Sequence, residues 1–294
     1  TAELGGADVH MNHSGVAHFV YPDDLSCLNG VRQLLRYLPQ CNLDDSMTVP
    51  GTAVDNSASL SSIVPADSKK AYDVRNVINS LGDENSFFEI QESFAKNIII
   101  GFAHMNGRSV GIVANQPKVL AGVLDINASR KAARFVRFCD AFNIPILSLV
   151  DVPGFLCGTQ QEYSGVITQG AKLIYAYGEA TVPKVTVVLR KAYGGAYVSM
   201  GCKQLGGDVN FAWPSAQIAV MGAESAAEVI SSRPQDFIED YKSRISNPQN
   251  AIENGSLDEI IEPSTTRRRV IDALEKISAT RPAALWKKHD NMPL

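Results

Sequence analysis

The stretch KAYGGAYVSMG, residues 191–201, places two glycines and an alanine directly after a run of apolar residues, and it holds no obvious nucleophile or base. Where a strand turns into a helix, the first amides of the helix lack intrahelical partners and lie at the positive end of its dipole. Such amides can stabilise a developing oxyanion without a side chain. Gly194, Gly195 and Ala196 are therefore candidates for an oxyanion site. The alternative is a tight turn that needs glycine for its backbone conformation.

A second candidate is the loop DVPGFLCGTQQEYSG, residues 151–165, which follows another apolar run. Ligands of open α/β sheets usually bind at the carboxyl ends of parallel strands. Pro153, Gly154 and Gly158 would shape a loop whose carbonyls and amides meet a ligand, unless it is an ordinary strand-to-helix connection. Asp151 lies on the strand end itself, so we expect it to be structural rather than a base.

Other reactive residue types form weaker patterns. His10, His13 and His18 are close in sequence, but no Cys or nearby carboxylate completes a metal site, so we predict packing histidines and no metal. Cys157 and Cys202 have no His near them in sequence, which favours buried thiols over nucleophiles.

The elements that position these loops follow a regular alternation from residue 97 onward. Two apolar runs flank Asn106-Gly107, which predicts a hairpin. Continuous apolar strands then alternate with helices, which predicts an α/β fold with a mostly parallel, covered sheet. One helix should turn five residues inward: Ala132, Phe135, Val136, Cys139 and Phe142.

The front of the chain has a different character. Residues 1–39 read as helical, and residues 40–67 are rich in Pro, Ser and Asp, as in a connection between domains. A short helix should follow, with Val74, Val77, Ile78 and Leu81 on one face. Another helical face contains the apolar residues Val31, Leu34, Leu35 and Leu38. We expect this face to pack against a domain outside this chain. Without that domain, these residues and Val16 should be partly exposed, unless a partner protomer or the C-terminal domain covers them.

Composition excludes several function classes. The chain has 294 residues, 45% of them hydrophobic and 20% charged, with a net charge of -4, so no electrostatic attraction favours nucleic acid or an anionic membrane. The basic run TTRRRV is interpreted as a solvated helix face. No apolar stretch approaches the roughly 20 residues that span a bilayer. Five scattered cysteines suggest reduced thiols, and the start at Thr1 suggests processing or a longer parent chain.

Across residues 97–230 the sequence closely resembles the carboxyltransferase (β) subunits of biotin-dependent acyl-CoA carboxylases, the propionyl-CoA carboxylase type in particular. The resemblance covers essentially the whole chain, and it implies a crotonase-like (ClpP/crotonase) spiral of ββα units. It rests on long stretches that include NIIIGFAHMNGRSVGIVANQ, PILSLVDVPGFLCGTQQEYSG, VPKVTVVLRKAYGGAYVSM and FAWPSAQIAVMGAE.

The resemblance also implies a mechanism. In this family carboxybiotin releases CO2 and leaves a biotin enolate, which takes the α-proton of the acyl-CoA, and the thioester enolate then attacks CO2. Both enolates carry oxyanion character, so no side-chain base is required. By motif match, Gly195 and Ala196 would be catalytic through their amides. The biotin-binding residues would be these two with Gly154, Gly194 and Phe155, the last through its backbone carbonyl.

One position departs from the family pattern. Tyr197 and Val198 would line the acyl pocket, and subunits of the propionyl type commonly carry Asp where this chain has Val198. The acyl chain length therefore stays open.

The family subunit is longer than this chain and has two crotonase-like domains. The resemblance assigns residues 1–39 to the end of the N-terminal carboxyltransferase domain, 40–90 to a linker and connecting helix, and 91–294 to the C-terminal domain. Family active sites form between the N-terminal domain of one protomer and the C-terminal domain of another. We therefore expect a homo-oligomer, a hexamer built as a trimer of dimers, and an isolated chain without activity.

The expected reaction moves a carboxyl group from carboxybiotin to the α-carbon of a short-chain acyl-CoA such as propionyl-CoA. Biotin would arrive on a carboxyl carrier subunit that works with biotin carboxylase, in a bacterial cytoplasm or a mitochondrial matrix. Three alternatives stay open: a decarboxylase or transcarboxylase on the same scaffold, a non-catalytic assembly domain, and a biotin-independent hydratase or isomerase. The last would need a glutamate base, for which Glu162 and Glu224 are the nearest candidates.

Overall fold

The computed structural model describes residues 2–41, 44–45, 48–51, 60–230 and 234–278. Its centre is an eight-stranded sheet in the order β1–β2–β3–β4–β5–β6–β8, with β7 paired to β5. The strands are β1 Phe88–Ile90, β2 Ile98–Met105, β3 Arg108–Asn115, β4 Ile146–Val152, β5 Lys184–Tyr193, β6 Val209–Ala212, β7 Gln217–Ala219 and β8 Glu259–Ile260.

Thirteen α-helices are present among the described residues, and none of them is both long and apolar enough to cross a bilayer. They are α1 Ala2–Gly5, α2 Ala7–Val9, α3 Asp24–Leu35, α4 Leu60–Ile63, α5 Val74–Leu81, α6 Ile126–Ala141, α7 Thr159–Tyr163, α8 Val166–Glu179, α9 Gly194–Val198, α10 Ala223–Ile230, α11 Pro234–Asp240, α12 Pro248–Glu253 and α13 Thr266–Ser278.

The sheet is antiparallel only at its beginning. Strands β1, β2 and β3 pair antiparallel, and every later pairing is parallel, which confirms the predicted mostly parallel sheet. The hairpin between β2 and β3 turns at Asn106 and Gly107, whose φ angles are 53° and 75°. Both values belong to the left-handed region that a two-residue hairpin turn requires. The amides of both residues donate to the Asp83 carboxylate, at 3.0 and 2.8 Å.

Both faces of the sheet are covered, so its strands are buried on two sides. Helices α6 and α8 contribute to one hydrophobic core, and α5 and α13 contribute to the other. The predicted inward face of α6 is confirmed, with its four helical members buried and Phe142 packed at the edge of the core. Strand β1 is part of this sheet and helix α5 is part of the second core, although both precede residue 91. The division of the chain at residues 39 and 90 remains a proposal.

The N-terminal segment packs on the first core through Tyr37. The Tyr37 hydroxyl donates to the Ser86 carbonyl at 2.6 Å, and its ring stacks on Phe102 and His104. This anchor holds the segment that follows α3 against the edge of the sheet where β1 and β2 lie.

The predicted apolar face of residues 31–38 is confirmed only in part, because two of its four residues are covered and two are exposed. Leu34 and Leu38 pack against the core, whereas Val31 and Leu35 are 46% and 59% exposed. The physical reason is that Leu34 and Leu38 face the first hydrophobic core of this chain, which covers them, whereas Val31 and Leu35 face away from it. Val16 is 67% exposed, so Val16, Val31 and Leu35 show the exposure that we predicted.

The basic run TTRRRV is also not the solvated face that we predicted. Arg267 is buried, pairs with Asp83 at 2.5 Å and donates to the Leu81 carbonyl. Arg269 lies over the Phe211 ring, and of the three arginines only Arg268 is exposed. A buried guanidinium needs such partners, and Asp83 connects it to the hairpin turn.

Candidate active site

Helix α9 begins directly at the end of β5. Gly194 has a φ of 55°, and a Cβ at this position would lie 2.7 Å from the Val220 carbonyl oxygen, so glycine is required here. Gly195 and Ala196 are the second and third residues of the helix, and their amides have no intrahelical acceptor. The residue before the helix, Tyr193, does not cap it with its side chain.

The two candidate amide donors differ in exposure. Gly195 is exposed, whereas Ala196 has no solvent-accessible surface. A ligand that approaches this helix therefore meets Gly195 first, and the Ala196 amide lies one residue deeper in the helix.

The loop after β4 is held by a single backbone bridge. The Leu124 amide donates to the Gly154 carbonyl at 3.1 Å, and the Leu156 amide donates to the Leu124 carbonyl at 2.7 Å. This pattern turns the backbone groups of Phe155 away from Leu124. Within the described part of the chain, no donor reaches the Phe155 carbonyl. The Leu124 bridge thus holds the segment that carries this carbonyl in place.

Two positions in this loop favour glycine because of their backbone conformation and not because of close neighbouring atoms. Gly154 and Gly158 have φ angles of 153° and 135°, and a Cβ at either would meet nothing within 4 Å. L-residues rarely adopt these φ values, so a side chain would be strained here despite the open surroundings.

The ring of Phe155 connects the loop to α9. A Cβ on Gly195 would lie 3.8 Å from the ring, and one on Gly170 of α8 would lie 2.8 Å from it. The ring therefore sits against two glycines on two different helices. The structure thus brings the β4 loop and the start of α9 together, and these two segments carry all five predicted biotin-binding residues: Gly154, Phe155, Gly194, Gly195 and Ala196.

A groove of about 370 Å³ borders α9. Val198, which is 36% exposed, lines this groove together with Gly194 and Tyr197. Tyr197 is buried, its hydroxyl has no partner among the described residues, and burial raises its pKa well above the usual range. The two predicted acyl-pocket residues therefore share one groove, whose remaining walls include Ile218, Ala219, Val220, Gln204 and Asn250.

Asp151 is fully buried and engaged, as the structural interpretation predicted. Its carboxylate accepts from the Arg190 Nε at 3.0 Å and from the Lys191 amide at 3.1 Å. Burial is the largest influence on the pKa of Asp151 and raises it, while the Arg190 guanidinium opposes that shift. Arg190 also donates to the carbonyls of Asp67 and Lys70, at 2.9 and 2.8 Å. This pair ties the ends of β4 and β5 to the preceding connection.

The rival glutamate bases are poorly placed for proton abstraction. Glu224 is exposed and pairs with Lys242 at 2.8 Å, which lowers its pKa below the usual value. A general base works best with a pKa near the working pH, so this shift has the wrong direction. Glu162 is exposed on α7 and forms no hydrogen bond with Phe155 or α9.

The cysteine and histidine predictions have mixed outcomes. Cys202 is buried, and burial raises its pKa, as a structural thiol should show. Cys157 is exposed, so the prediction of a buried thiol is wrong there; the β4 loop extends into solvent at this point. His10 bonds Ser14 at 3.0 Å. The described residues contain no group of three His, Cys, Asp or Glu side chains that could hold a metal.

Sequence reasoning missed two parts of this site. Gly170 provides the space for the Phe155 ring, and Leu124 holds the loop that carries Phe155. Leu124 follows a short turn in which Leu120 and Ala121 have positive φ angles of 48° and 52°. Non-glycine residues in this region are uncommon and concentrate at functional sites. The sequence offered a signal for Gly170 only, which is a glycine among the apolar residues of the stretch GVITQGAKLIYAYG.

The fold of this chain matches solved structures of two other proteins. The solved structure of transcarboxylase 12S, described as a hexamer assembly with hydrolysed methylmalonyl-CoA bound, matches with a TM-score of 0.96 and 50% identity, over 100% of this chain and 59% of that chain. The β subunit of geranyl-CoA carboxylase from P. aeruginosa matches with a TM-score of 0.72 and 27% identity, over 100% of this chain and 58% of that one. The fold is the crotonase-like α/β fold of these proteins.

The family follows from the sequence match. Residues 1–292 match the carboxyl transferase domain family, and the chain belongs to it. A propionyl-CoA carboxylase carboxyltransferase subunit from Haloferax mediterranei is 51% identical over 99% of this chain and 59% of its own length. The mitochondrial propionyl-CoA carboxylase β chain of Homo sapiens is 50% identical over 99% of this chain and 55% of its own. The chain thus spans little more than half the length of these curated relatives.

Proposed function

We propose that this chain is the biotin-side half of the carboxyltransferase site of a biotin-dependent acyl-CoA carboxylase. In the complete subunit it would help to transfer a carboxyl group from carboxybiotin to the α-carbon of a short-chain acyl-CoA such as propionyl-CoA, forming methylmalonyl-CoA. The observation that supports the proposal is that the Phe155 ring lies beside Gly195, so that a loop with an unpartnered backbone carbonyl adjoins the first amides of a helix.

The residues present fit the biotin head. Biotin, when bound, supplies the labile carboxyl group and a ring whose ureido oxygen and nitrogen need partners of opposite kinds. The Phe155 carbonyl is an acceptor without a protein donor, and Gly195 is an exposed donor at a helix start. Because Gly195 has no side chain, a flat ring can approach its amide closely. Gly154 and Gly194 hold the two backbone segments in the conformations that this approach needs.

The amides at the start of α9 would do the electrostatic work. Preorganised backbone donors stabilise oxygen-centred negative charge as it develops, and they need no reorganisation during the reaction. The Gly195 amide would bind that charge first, and the Ala196 amide would add to it from the next position. No side-chain base is required in this scheme, which agrees with the unsuitable surroundings of Glu162 and Glu224.

The acyl group would enter the groove beside α9. Val198 and Tyr197 line it, and an apolar Val198 side chain favours an apolar acyl chain over a polar one. The second oxyanion hole and most CoA contacts would come from the N-terminal domain of a neighbouring protomer. We therefore propose a homo-oligomeric complete subunit that also meets a biotin carboxyl carrier and biotin carboxylase.

A second candidate function is carboxyl transfer in the reverse direction, from an acyl-CoA such as methylmalonyl-CoA to biotin, as a transcarboxylase subunit on the same scaffold. The observation that favours it is the 50% identity to the methylmalonyl-CoA carboxyltransferase 12S subunit of Propionibacterium freudenreichii subsp. shermanii, close to the identity with the carboxylase subunits. The same amides and carbonyl would serve both directions, since neither reaction adds a residue to the site.

The test is a product assay on the complete subunit that contains this sequence. Supplied with carboxylated biotin carrier and propionyl-CoA, it should form methylmalonyl-CoA, and it should not hydrate an enoyl-CoA. Hydration of the enoyl-CoA without carboxyl transfer to any acyl-CoA would overturn the proposal. Omitting carrier and adding methylmalonyl-CoA with free biotin tests the reverse transfer in the same preparation.

A further inference from the structure

A cationic cleft lies on the outer side of α6 and α8, away from the Phe155 loop. Its volume is about 410 Å³, and its lining includes Arg130, Arg134 and Lys172. None of these three cations forms an ion pair with a described residue, and the described residues that line the cleft include no carboxylate. Arg130 and Arg134 stand one helical turn apart, where like charges repel each other. A bound anion would relieve that repulsion.

An apolar chamber opens from the same cleft. Its volume is about 150 Å³, and it shares three lining residues with the cleft: Gln91, Lys131 and Arg134. Apart from His18, the remaining walls are hydrophobic, and they include four phenylalanine rings: Phe19, Phe102, Phe135 and Phe138. An apolar cavity of about this size in another protein stays dry and binds benzene. The chamber therefore has room for one ring or a short alkyl chain.

Arg134 is the cation that is available where chamber and cleft meet. The Lys131 ammonium also lies there, but it donates to the carbonyls of Gln91, Phe94 and Ile98 at 3.0, 2.8 and 2.9 Å. Those carbonyls use its donors. Arg134 is exposed and has no such partner within the described part of the chain. A guanidinium of this kind suits a carboxylate, which it can bind through two parallel hydrogen bonds.

We propose that the chamber and the cleft form one binding site for a small amphiphilic organic acid. The apolar group of the ligand, about the size of a benzene ring, lies among the four phenylalanines. Its carboxylate lies on Arg134 at the mouth, with Arg130 and Lys172 adding positive charge outside. This site uses neither the Phe155 loop nor α9, so it does not depend on the proposed carboxyltransferase function.

The test is calorimetric titration of the complete subunit that contains this sequence with four probes: benzoate, hexanoate, benzyl alcohol and inorganic phosphate. Benzoate and hexanoate combine both halves of the ligand, whereas benzyl alcohol lacks the charge and phosphate lacks the apolar group. We expect at least one of the two acids to bind at least about tenfold more tightly than either single-feature probe, because a hydrogen bond to a charged group adds to apolar burial. Equal affinity for phosphate and benzoate would mean a simple anion site and would overturn the proposal.

Two variants with matched controls locate the site. Arg134→Met should weaken benzoate binding by at least about tenfold, while Arg268→Met, at an exposed arginine on α13, should not change it. Leu34→Phe places a ring at the chamber wall and should abolish benzoate binding, while Leu28→Phe, on the exposed side of the same helix, should preserve it. Circular dichroism melting shows whether each variant folds. No benzoate or hexanoate binding by the parent subunit, or unchanged binding in folded Arg134→Met, would refute the site.

Discussion

Replacing Gly170 with alanine should displace the ring that joins the two halves of the candidate site. A Cβ at this position would lie 2.8 Å from the Cζ atom and 3.0 Å from the Cε1 atom of Phe155. Carbon atoms in good contact are about 3.5–4.0 Å apart, so the ring must move by roughly 1 Å. A Cβ on Gly195 would lie 3.8 Å from another atom of the same ring, so we expect a shifted ring to disturb the space between the Phe155 loop and the start of α9.

Gly178 offers a matched control on the same helix, because a Cβ there would meet nothing within 4 Å. Each substitution gives α8 the same gain in helix propensity, about 0.5–1 kcal/mol. Only the one at Gly170 adds an overpacking cost, which is typically about 1–3 kcal/mol. Comparing the two variants therefore separates displacement of Phe155 from any general effect of alanine in α8.

The assay is carboxyl transfer by the complete subunit at saturating propionyl-CoA, with the carboxylated biotin carrier varied. A misplacement of about 1 Å in a catalytic site can cost about 10²-fold in rate. We expect Gly170→Ala to lower kcat/KM for the carrier by roughly ten- to a hundredfold, with KM for propionyl-CoA nearly unchanged, and Gly178→Ala to behave as wild type. Equal kinetics of the two folded variants would refute the role of Phe155.

Two further predictions concern selectivity and stability. Val198→Asp should change the ratio of kcat/KM between short and longer acyl-CoAs by at least about tenfold, because one methylene in an apolar pocket is worth about 1–3 kcal/mol. Equal ratios for acetyl, propionyl and butyryl thioesters would place Val198 outside the pocket. Lys131→Met should lower the free energy of unfolding by at least about 1–3 kcal/mol, because buried carbonyls lose their donor. Burial lowers the pKa of Lys131 from 10.5 to about 7, so between these values the unfolded chain holds a proton that the folded chain has lost. From about pH 7 to about pH 10 the free energy of unfolding should therefore rise more in wild type than in Lys131→Met. Urea titrations near these two pH values measure this difference, and parallel pH profiles of the two proteins would contradict the prediction.

Local patterns predicted the elements of the fold well. The hairpin at Asn106 and Gly107 follows from two residues that tolerate positive φ between apolar runs, and the buried face of α6 follows from helical spacing. Long-range partners were not predictable in this way. The basic run around Arg267 predicted a solvated side chain, yet the carboxylate that pairs with it belongs to Asp83, 184 residues away in the sequence. Helix periodicity contains no information on such a partner.

The candidate site was predictable only in part, for the same reason. Glycines after a strand predict free amides at a helix start, and the resemblance supplied the roles of Gly195 and Phe155. The contact between these residues depends on the Leu124 bridge and on the space above Gly170, and both come from elements distant in sequence. The full burial of Ala196 likewise results from packing across the sheet.

The central claim is that backbone amides at the start of α9 stabilise the reacting oxyanion. The most direct measurement is kcat for carboxyl transfer by the complete subunit carrying Ala196→Pro, which removes one amide donor from the first turn of a helix, where proline is tolerated. Loss of one oxyanion-hole donor typically costs about 10²–10³-fold in kcat, and we predict a loss of that size with the fold intact by circular dichroism. Near-normal turnover in a well-folded variant would contradict the account.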